Sequence, residues 1–336
     1  MDDMKSKTKK DDDTTKDVLE NNACRLDQPP AQLPLRIQVV SDLHLESRHE
    51  GLPVIERAAP VLALLGDVGY ASQCKEGEKL RQFLLAQTEK FDHVILVAGN
   101  HEYYGTSEED GVAWLRALCE EVPRNNLHFL DRDEMELQGV RILGCTMWTR
   151  IPKRFRLEAW SMMRDFDRIG ELSRKEEERG QGEDEELAVM RAVHRGCDKY
   201  NEWYLRDSQW LADAIERARV DTANNICNGA IVLTHHAPLT KPEVVHSSSR
   251  EMRGHIYSCE GTNNLYASMV AFDNPCVRAW AYGHTHKCFS MRCERSGLLL
   301  LSNPAGHWEG EVEGNFCPRC VLVVDGGKAT RECSWE

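Results

Sequence analysis

The chain has 336 residues, 41% hydrophobic and 29% charged, a balance that suits an ordinary globular protein of one large or two small domains. Its formal net charge of -13 argues against broad nucleic-acid binding through phosphate neutralisation, although a metal site would still supply local positive charge to a phosphate-bearing substrate. No window approaches the run of about 18 apolar residues that a membrane span requires.

The charged start Met1-Asp2-Asp3-Met4-Lys5-Ser6 lacks the apolar stretch of a secretory signal, so a cytoplasmic location is expected. Residues 1–34 carry Lys7 to Asp13, Pro29, Pro30 and Pro34, with few apolar side chains. Such a segment does not offset its ordering entropy and is expected to be a disordered tail before a domain over residues 35–330. The 13 cysteines are odd in number and scattered, which points to reduced thiols. The one C-x-x-C, Cys317 to Cys320, lacks a second pair at zinc-knuckle spacing.

The first strand expected is Leu35 to Val40, running into Ser41-Asp42-Leu43-His44. The second is Val61 to Leu65, ending in Gly66-Asp67. A helix over Lys75–Lys90 follows, with Leu80, Phe83, Leu84 and Gln87 on one face. Then comes the apolar run Val94 to Ala98, which opens into Gly99-Asn100-His101-Glu102. Ser107 and the acidic residues after it read as the N-cap of a second helix, whose buried face is Trp114, Leu115 and Leu118. Strands alternating with helices imply parallel pairing with crossover helices.

Leu127–Leu130, Met135–Leu137 and Val140–Cys145 add strands, and Gln138-Gly139 marks a hairpin turn between the last two. From about Trp148 to residue 220 the character is helical. Met163, Phe166, Ile169, Met190, Val193 and Tyr200 can pack over one edge, the charge run 173–186 is a solvated face or loop, and a long helix is expected over Glu186–Arg219. This insertion is expected to cap the crevice. Ala230 to Leu233 then ends in Thr234-His235-His236, and Val277 to Tyr282 ends in Gly283-His284-Thr285-His286. The polar stretch Lys241–Gly261 suits a loop over the site, and strands at Gly297–Leu301 and Cys320–Val324 complete the pattern.

Five strand ends thus carry Asp, Asn or His in the same structural place, the end at which open α/β sheets bind ligands. Collected, they are Asp42, His44, Asp67, Asn100, His235 or His236, His284 and His286. Oxygen and imidazole donors without thiolate suit Mn, Fe or Zn. Seven donors are too many for one catalytic ion with an open position and enough for two ions that share a carboxylate.

These blocks, Asp42-Leu43-His44, Gly66-Asp67, Gly99-Asn100-His101-Glu102, His235-His236 and Gly283-His284-Thr285-His286, resemble the five blocks of the calcineurin-like metallophosphoesterases over about residues 35–327. The resemblance implies a four-layer α/β/β/α sandwich around a binuclear centre. One ion would take Asp42, His44 and His286, the other Asn100, His235 and His284, with Asp67 between them. His235 is favoured because the family's histidine in that block is normally the first residue after the strand, which leaves His236 behind it. His101 would be the catalytic histidine and not a ligand.

Met163-Arg164-Asp165-Phe166 and Ser302-Asn303-Pro304 resemble small, poorly characterised members. Gly66-Asp67-Val68-Gly69-Tyr70 lacks the Asp-Arg-Gly continuation of the Ser/Thr protein phosphatases. The implied activity is hydrolysis of a small phosphodiester or phosphomonoester by a metal-activated hydroxide, with two divalent ions, Mn favoured over Fe or Zn. Two alternatives are a non-catalytic scaffold of the same fold that binds protein, and a Mn-dependent nuclease. The acidic balance weighs against the nuclease.

Overall fold

The computed structural model describes residues 33–48, 54–173, 184–239, 276–307, 315–325 and 327–333. The chain divides into Met1–Leu33 and Pro34–Glu336, and the fold described here is that of the second unit. The expected tail up to residue 32, the charge run from 174 to 183 and the polar stretch Lys241–Gly261 lie outside the described residues.

Two six-stranded mixed sheets form the body. The first contains β1 (Leu35–Val40), β2 (Val61–Leu65), β3 (His93–Val97), β4 (Leu127–Phe129), β11 (Val321–Asp325) and β12 (Lys328–Glu332), in the order β12-β11-β1-β2-β3-β4. The second contains β5 (Asp133–Leu137), β6 (Val140–Cys145), β7 (Ala230–Thr234), β8 (Val277–Tyr282), β9 (Phe289–Arg292) and β10 (Leu299–Ser302), in the order β5-β6-β7-β8-β10-β9. β1 to β4 are mutually parallel, as are β6, β7, β8 and β10. The β5–β6 hairpin turns through Gln138 and Gly139, at φ 51° and 70°, the left-handed pair that a tight hairpin requires.

Period-two alternation separates the core into layers. Ile37, Val39, Ala63, Leu65, Ile95 and Val97 of the first sheet pack with Ile142, Ile231, Leu233, Ala279, Ala281 and Leu301 of the second. The residues between them point outward. Leu62, Leu64, Val94 and Leu96 join Leu80, Phe83 and Leu84 of α1 (Lys75–Thr88) and Leu115 and Leu118 of α2 (Glu108–Glu121). Helices outside two stacked sheets make the α/β/β/α sandwich. The Ser107 side chain accepts the Asp110 N–H at 2.9 Å, the cap that starts α2 and is worth about 1 kcal/mol.

Between β6 and β7 lies the helical insertion: α3 (Arg156–Met162), α4 (Asp165–Arg168) and α5 (Glu185–Ala223). α5 is longer at both ends than the sequence pattern indicates. Its Tyr200, Trp203, Leu211, Ala214 and Ile215 are buried, while Trp210 is only half-buried. Asp207, buried on α5, accepts the backbone N–H of Met147 at 2.9 Å and fastens the helix to the segment leaving β6. The long helix therefore packs against the second sheet, and among the described residues of the insertion it is α4, through Asp165, that reaches the strand ends. β9 and β12 escape the sequence pattern because they are short, half-exposed edge strands with no apolar run to mark them. No helix among the described residues is long and apolar enough to cross a membrane.

Candidate metal centre

The loops leaving the parallel strands are laced together by their backbones. Asp42 N–H donates to Gly66 O at 3.0 Å, His44 N–H to Asp67 O at 2.9 Å, and Gly283 N–H to His235 O at 2.9 Å. Asp42, His44, Asp67, His284 and His286 all have φ between 45° and 66°. Residues with a side chain seldom adopt this left-handed backbone, and where they do the surrounding structure holds them there for a reason that is often functional. The glycines in these loops answer close approach. A Cβ on Gly66, itself at φ 81°, would lie 2.3 Å from His235 Nδ1, and one on Gly99 would lie 2.3 Å from Asp67 Oδ1.

The side chains form two groups. Asp42, His44 and His286 offer one ligand atom each within 4.8 Å of one another, and so do Asp67, His235 and His284. In the first group His44 Nε2 faces His286 Nε2 at 3.1 Å, and His286 Nε2 lies 3.4 Å from Asp42 Oδ1. In the second, His235 Nε2 lies 3.0 Å from His284 Nδ1, 3.2 Å from Asn100 Oδ1 and 3.4 Å from Asp67 Oδ1. Asp67 also reaches the first group, its Oδ2 being 4.0 Å from His44 Nε2. All seven residues suggested by the strand ends are therefore brought together, with His235 in the cluster. His236 belongs to neither group; its ring packs 4.1 Å from that of His284 and its Nδ1 lies 3.3 Å from Thr146 O.

The donors suit divalent cations. Facing imidazole nitrogens at about 3 Å each present a lone pair when the ring proton sits on the other nitrogen, as the contacts of His44 Nδ1 with Glu46 and of His235 Nδ1 with Leu65 O favour, and a cation between them then satisfies both, together with the adjacent carboxylates. Burial and then the neighbouring His101 hold His44 below the usual histidine range, which favours its ligating form. His235 behaves otherwise. Burial opposes its charged form, but the Asp67 and Asp42 carboxylates carry it up to about 9.

His101 sits beside both groups, with Nε2 3.9 Å from Asp67 Oδ2 and its backbone N–H donating to Asp67 Oδ1 at 2.9 Å. Its Nδ1 lies 2.8 Å from Glu46 Oε1, and the Tyr104 ring stacks on it at 4.2 Å. Burial lowers the affinity of His101 for a proton, but Asp67 and Glu46 raise it further, and the net direction is upward. Burial alone would raise the Glu46 carboxyl, yet hydrogen bonds from His101 and His44 hold it at about 2.

Several contributors were given no individual role from the sequence, although Glu102 and Asp165 stand in motifs named above. Glu46 has no strand pattern of its own and is identified only by its contacts with His101 and His44. Glu102 is buried and accepts backbone N–H groups of Asp67, Val68 and Gly99 at 2.9, 2.8 and 2.6 Å, so it shapes the two loops without facing the cluster. Asp165, in the insertion, accepts from Asn100 Nδ2 at 2.9 Å and Tyr104 OH at 2.8 Å, which leaves Asn100 Oδ1 turned toward His235. His307 stacks on His44 at 3.6 Å, and the nearby Asn303 and Pro304 were its only sequence signal.

The profile of the family described as calcineurin-like phosphoesterase matches residues 35–288. An uncharacterized protein of Acanthamoeba polyphaga mimivirus is 22% identical over 270 residues, 79% of this chain and 84% of that protein. The crystal structure of phosphopantetheinyl hydrolase from Mycobacterium tuberculosis is similar at 13% identity with a TM-score of 0.50, covering 82% of this chain and 91% of that one. A dimetal phosphatase from Danio rerio is similar at 12% identity with a TM-score of 0.43, covering 88% and 98%. With two groups of metal-type donors at the ends of its central strands and a family match over most of its length, this chain belongs to the calcineurin-like phosphoesterase family.

Proposed function

We propose that this protein hydrolyses a small phosphodiester or phosphomonoester with two divalent ions, Mn favoured over Fe or Zn. Asp42, His44 and His286 hold one ion, Asn100, His235 and His284 the other, and Asp67 is shared. The observation that carries this reading is the position of Asp67, whose two oxygens face His235 at 3.4 Å and His44 at 4.0 Å, one toward each group. When bound, the ions lower the pKa of the attacking water and neutralise charge on the phosphoryl oxygens.

The chain's own residues do the rest. Asp42 accepts the His284 backbone N–H at 3.0 Å, which ties the two halves of the cluster. Asp165 orients the Asn100 amide. His101, anchored through Nδ1 by Glu46, turns Nε2 toward the cluster, where it can give a proton to the leaving oxygen or stabilise its charge. The acidic balance of -13 favours a small substrate over a nucleic acid, and a cytoplasmic location accords with the reading.

The test is metal analysis together with a phosphoester panel assayed with Mn, Fe(II) and Zn in turn. Two ions per chain and Mn-dependent turnover of a small ester are expected. Metal bound without turnover anywhere on the panel would favour the scaffold, and preferential cleavage of single-stranded DNA would favour the nuclease.

A further inference from the structure

His307 lies beyond residue 288, where the family match ends, yet it stands over the first group of metal-type donors. The chain holds it there deliberately. After β10, Ser41 N–H donates to Asn303 O at 3.3 Å and Ala305 N–H to Ser41 O at 2.9 Å, so residues 303–305 run alongside the start of the Asp42 loop. The buried Asn303 amide donates to Val39 O and Cys317 O, both at 2.8 Å. Arg48 donates to Gly306 O at 3.1 Å and to Leu43 O at 2.7 Å, tying the end of this segment to the same loop.

The imidazole that emerges stacks on His44 with ring centroids 3.6 Å apart and stands 5.7 Å from His101 and 5.4 Å from His286. Its Nδ1 is 3.2 Å from Ser47 Oγ. Ligand atoms of His44, His101 and His307 lie within 4.8 Å of one another, so one oxygen atom between His101 and His307 is within hydrogen-bond reach of both. A third cation in that space is disfavoured because both nitrogens of His44 are already engaged, Nδ1 with Glu46 at 3.1 Å and Nε2 toward His286 at 3.1 Å.

We propose that His307 is a second catalytic imidazole, which hydrogen-bonds a phosphoryl oxygen of the bound substrate beside His101. This rests on the hydrolase reading above. It assigns substrate contact to a residue outside the matched family region, and it gives the segment 303–307 the role of holding a donor over the site.

His307→Phe keeps a ring to stack on His44 and removes the nitrogens. In the metal-loaded protein it is expected to lower kcat/KM for phosphoesters by about 10- to 10²-fold and to weaken inorganic phosphate binding, read by calorimetry, by about 10-fold, with metal content unchanged. His307→Gln, which restores an N–H donor, is expected to recover part of both. In zinc-loaded wild-type protein, proton–nitrogen NMR should show the His307 ring signals shifting as phosphate is added, a readout that needs no variant to fold.

Loss of an ion in His307→Phe would make His307 a ligand, and wild-type activity and phosphate affinity in that variant would make it a stacking support; either overturns the proposal, as do His307 ring signals that ignore phosphate. Wild-type protein that binds metal but neither binds phosphate nor turns over any ester would overturn the hydrolase reading itself.

Discussion

Glu46 Oε1 lies 2.8 Å from His101 Nδ1, and this contact decides which nitrogen of the ring is turned toward Asp67. The same oxygen is 3.1 Å from His44 Nδ1, so one buried carboxylate orients an imidazole inside the metal-type cluster and another just outside it. A carboxylate behind a histidine fixes its tautomer and ring plane, and losing such a partner typically costs 10- to 100-fold in activity or metal affinity.

Glu46→Gln is therefore expected to reduce kcat by about 10- to 100-fold, because the neutral amide stabilises a protonated His101 less well. Steady-state kinetics with metal analysis in parallel checks this. Unchanged kcat would remove Glu46 from the positioning of His101.

His101→Ala should leave the metal content unchanged, since Asp42, His44, Asp67, Asn100, His235, His284 and His286 all remain. Turnover should fall by about 10²- to 10⁴-fold, the usual contribution of a positioned acid or base. The fall should be smaller for a nitrophenyl ester, whose leaving group needs little protonation, than for an alkyl ester. Loss of an ion would make His101 a ligand, and equal losses on both esters would leave it only an electrostatic role.

Asp67→Asn should lose at least one ion, because a neutral amide cannot balance two adjacent cations as a carboxylate does. Metal stoichiometry by mass spectrometry reads this directly. Two ions per chain with near-normal turnover would rule out the shared carboxylate.

Asp207 offers a test away from the cluster. Burial raises its carboxyl to about 6, partly offset by Arg132 and Arg206, against an ordinary value of 3.8. In this window the folded protein binds the proton more tightly than the unfolded chain, so the Asp207 contribution makes stability fall as pH rises from about 4 to about 6. At about 1.4 kcal/mol per pH unit the full effect is about 3 kcal/mol. Denaturation curves across that range should show a shallower decline in Asp207→Asn than in the wild type, and parallel pH dependences would contradict the raised value.

The parallel strands and the donor residues just past their ends were legible in the sequence for one physical reason, whereas the four layers were expected only from the resemblance to a known family. A buried strand needs an apolar run, and a side chain just past its end has its position set by the sheet, so pattern and place coincide at Asp42, Asp67, Asn100, the pair His235-His236 and His284. Ser107 and the Gln138-Gly139 turn were equally readable, because a cap and a tight turn are local chemistry.

What only the tertiary structure decided is everything set by contact between segments distant in the chain. Whether His235 or His236 faces Asp67, that Glu46 serves His101, that Asp165 from the insertion orients Asn100, and that His307 stacks on His44 all depend on how loops from separate strands meet. The long helix likewise has an amphipathic face that any apolar surface could cover. It is the buried Asp207, accepting N–H groups at Met147 and Trp148, that ties it to the second sheet. Spacing along one chain carries no record of such pairings, because the hydrogen bonds and packing that fix them join residues far apart in sequence.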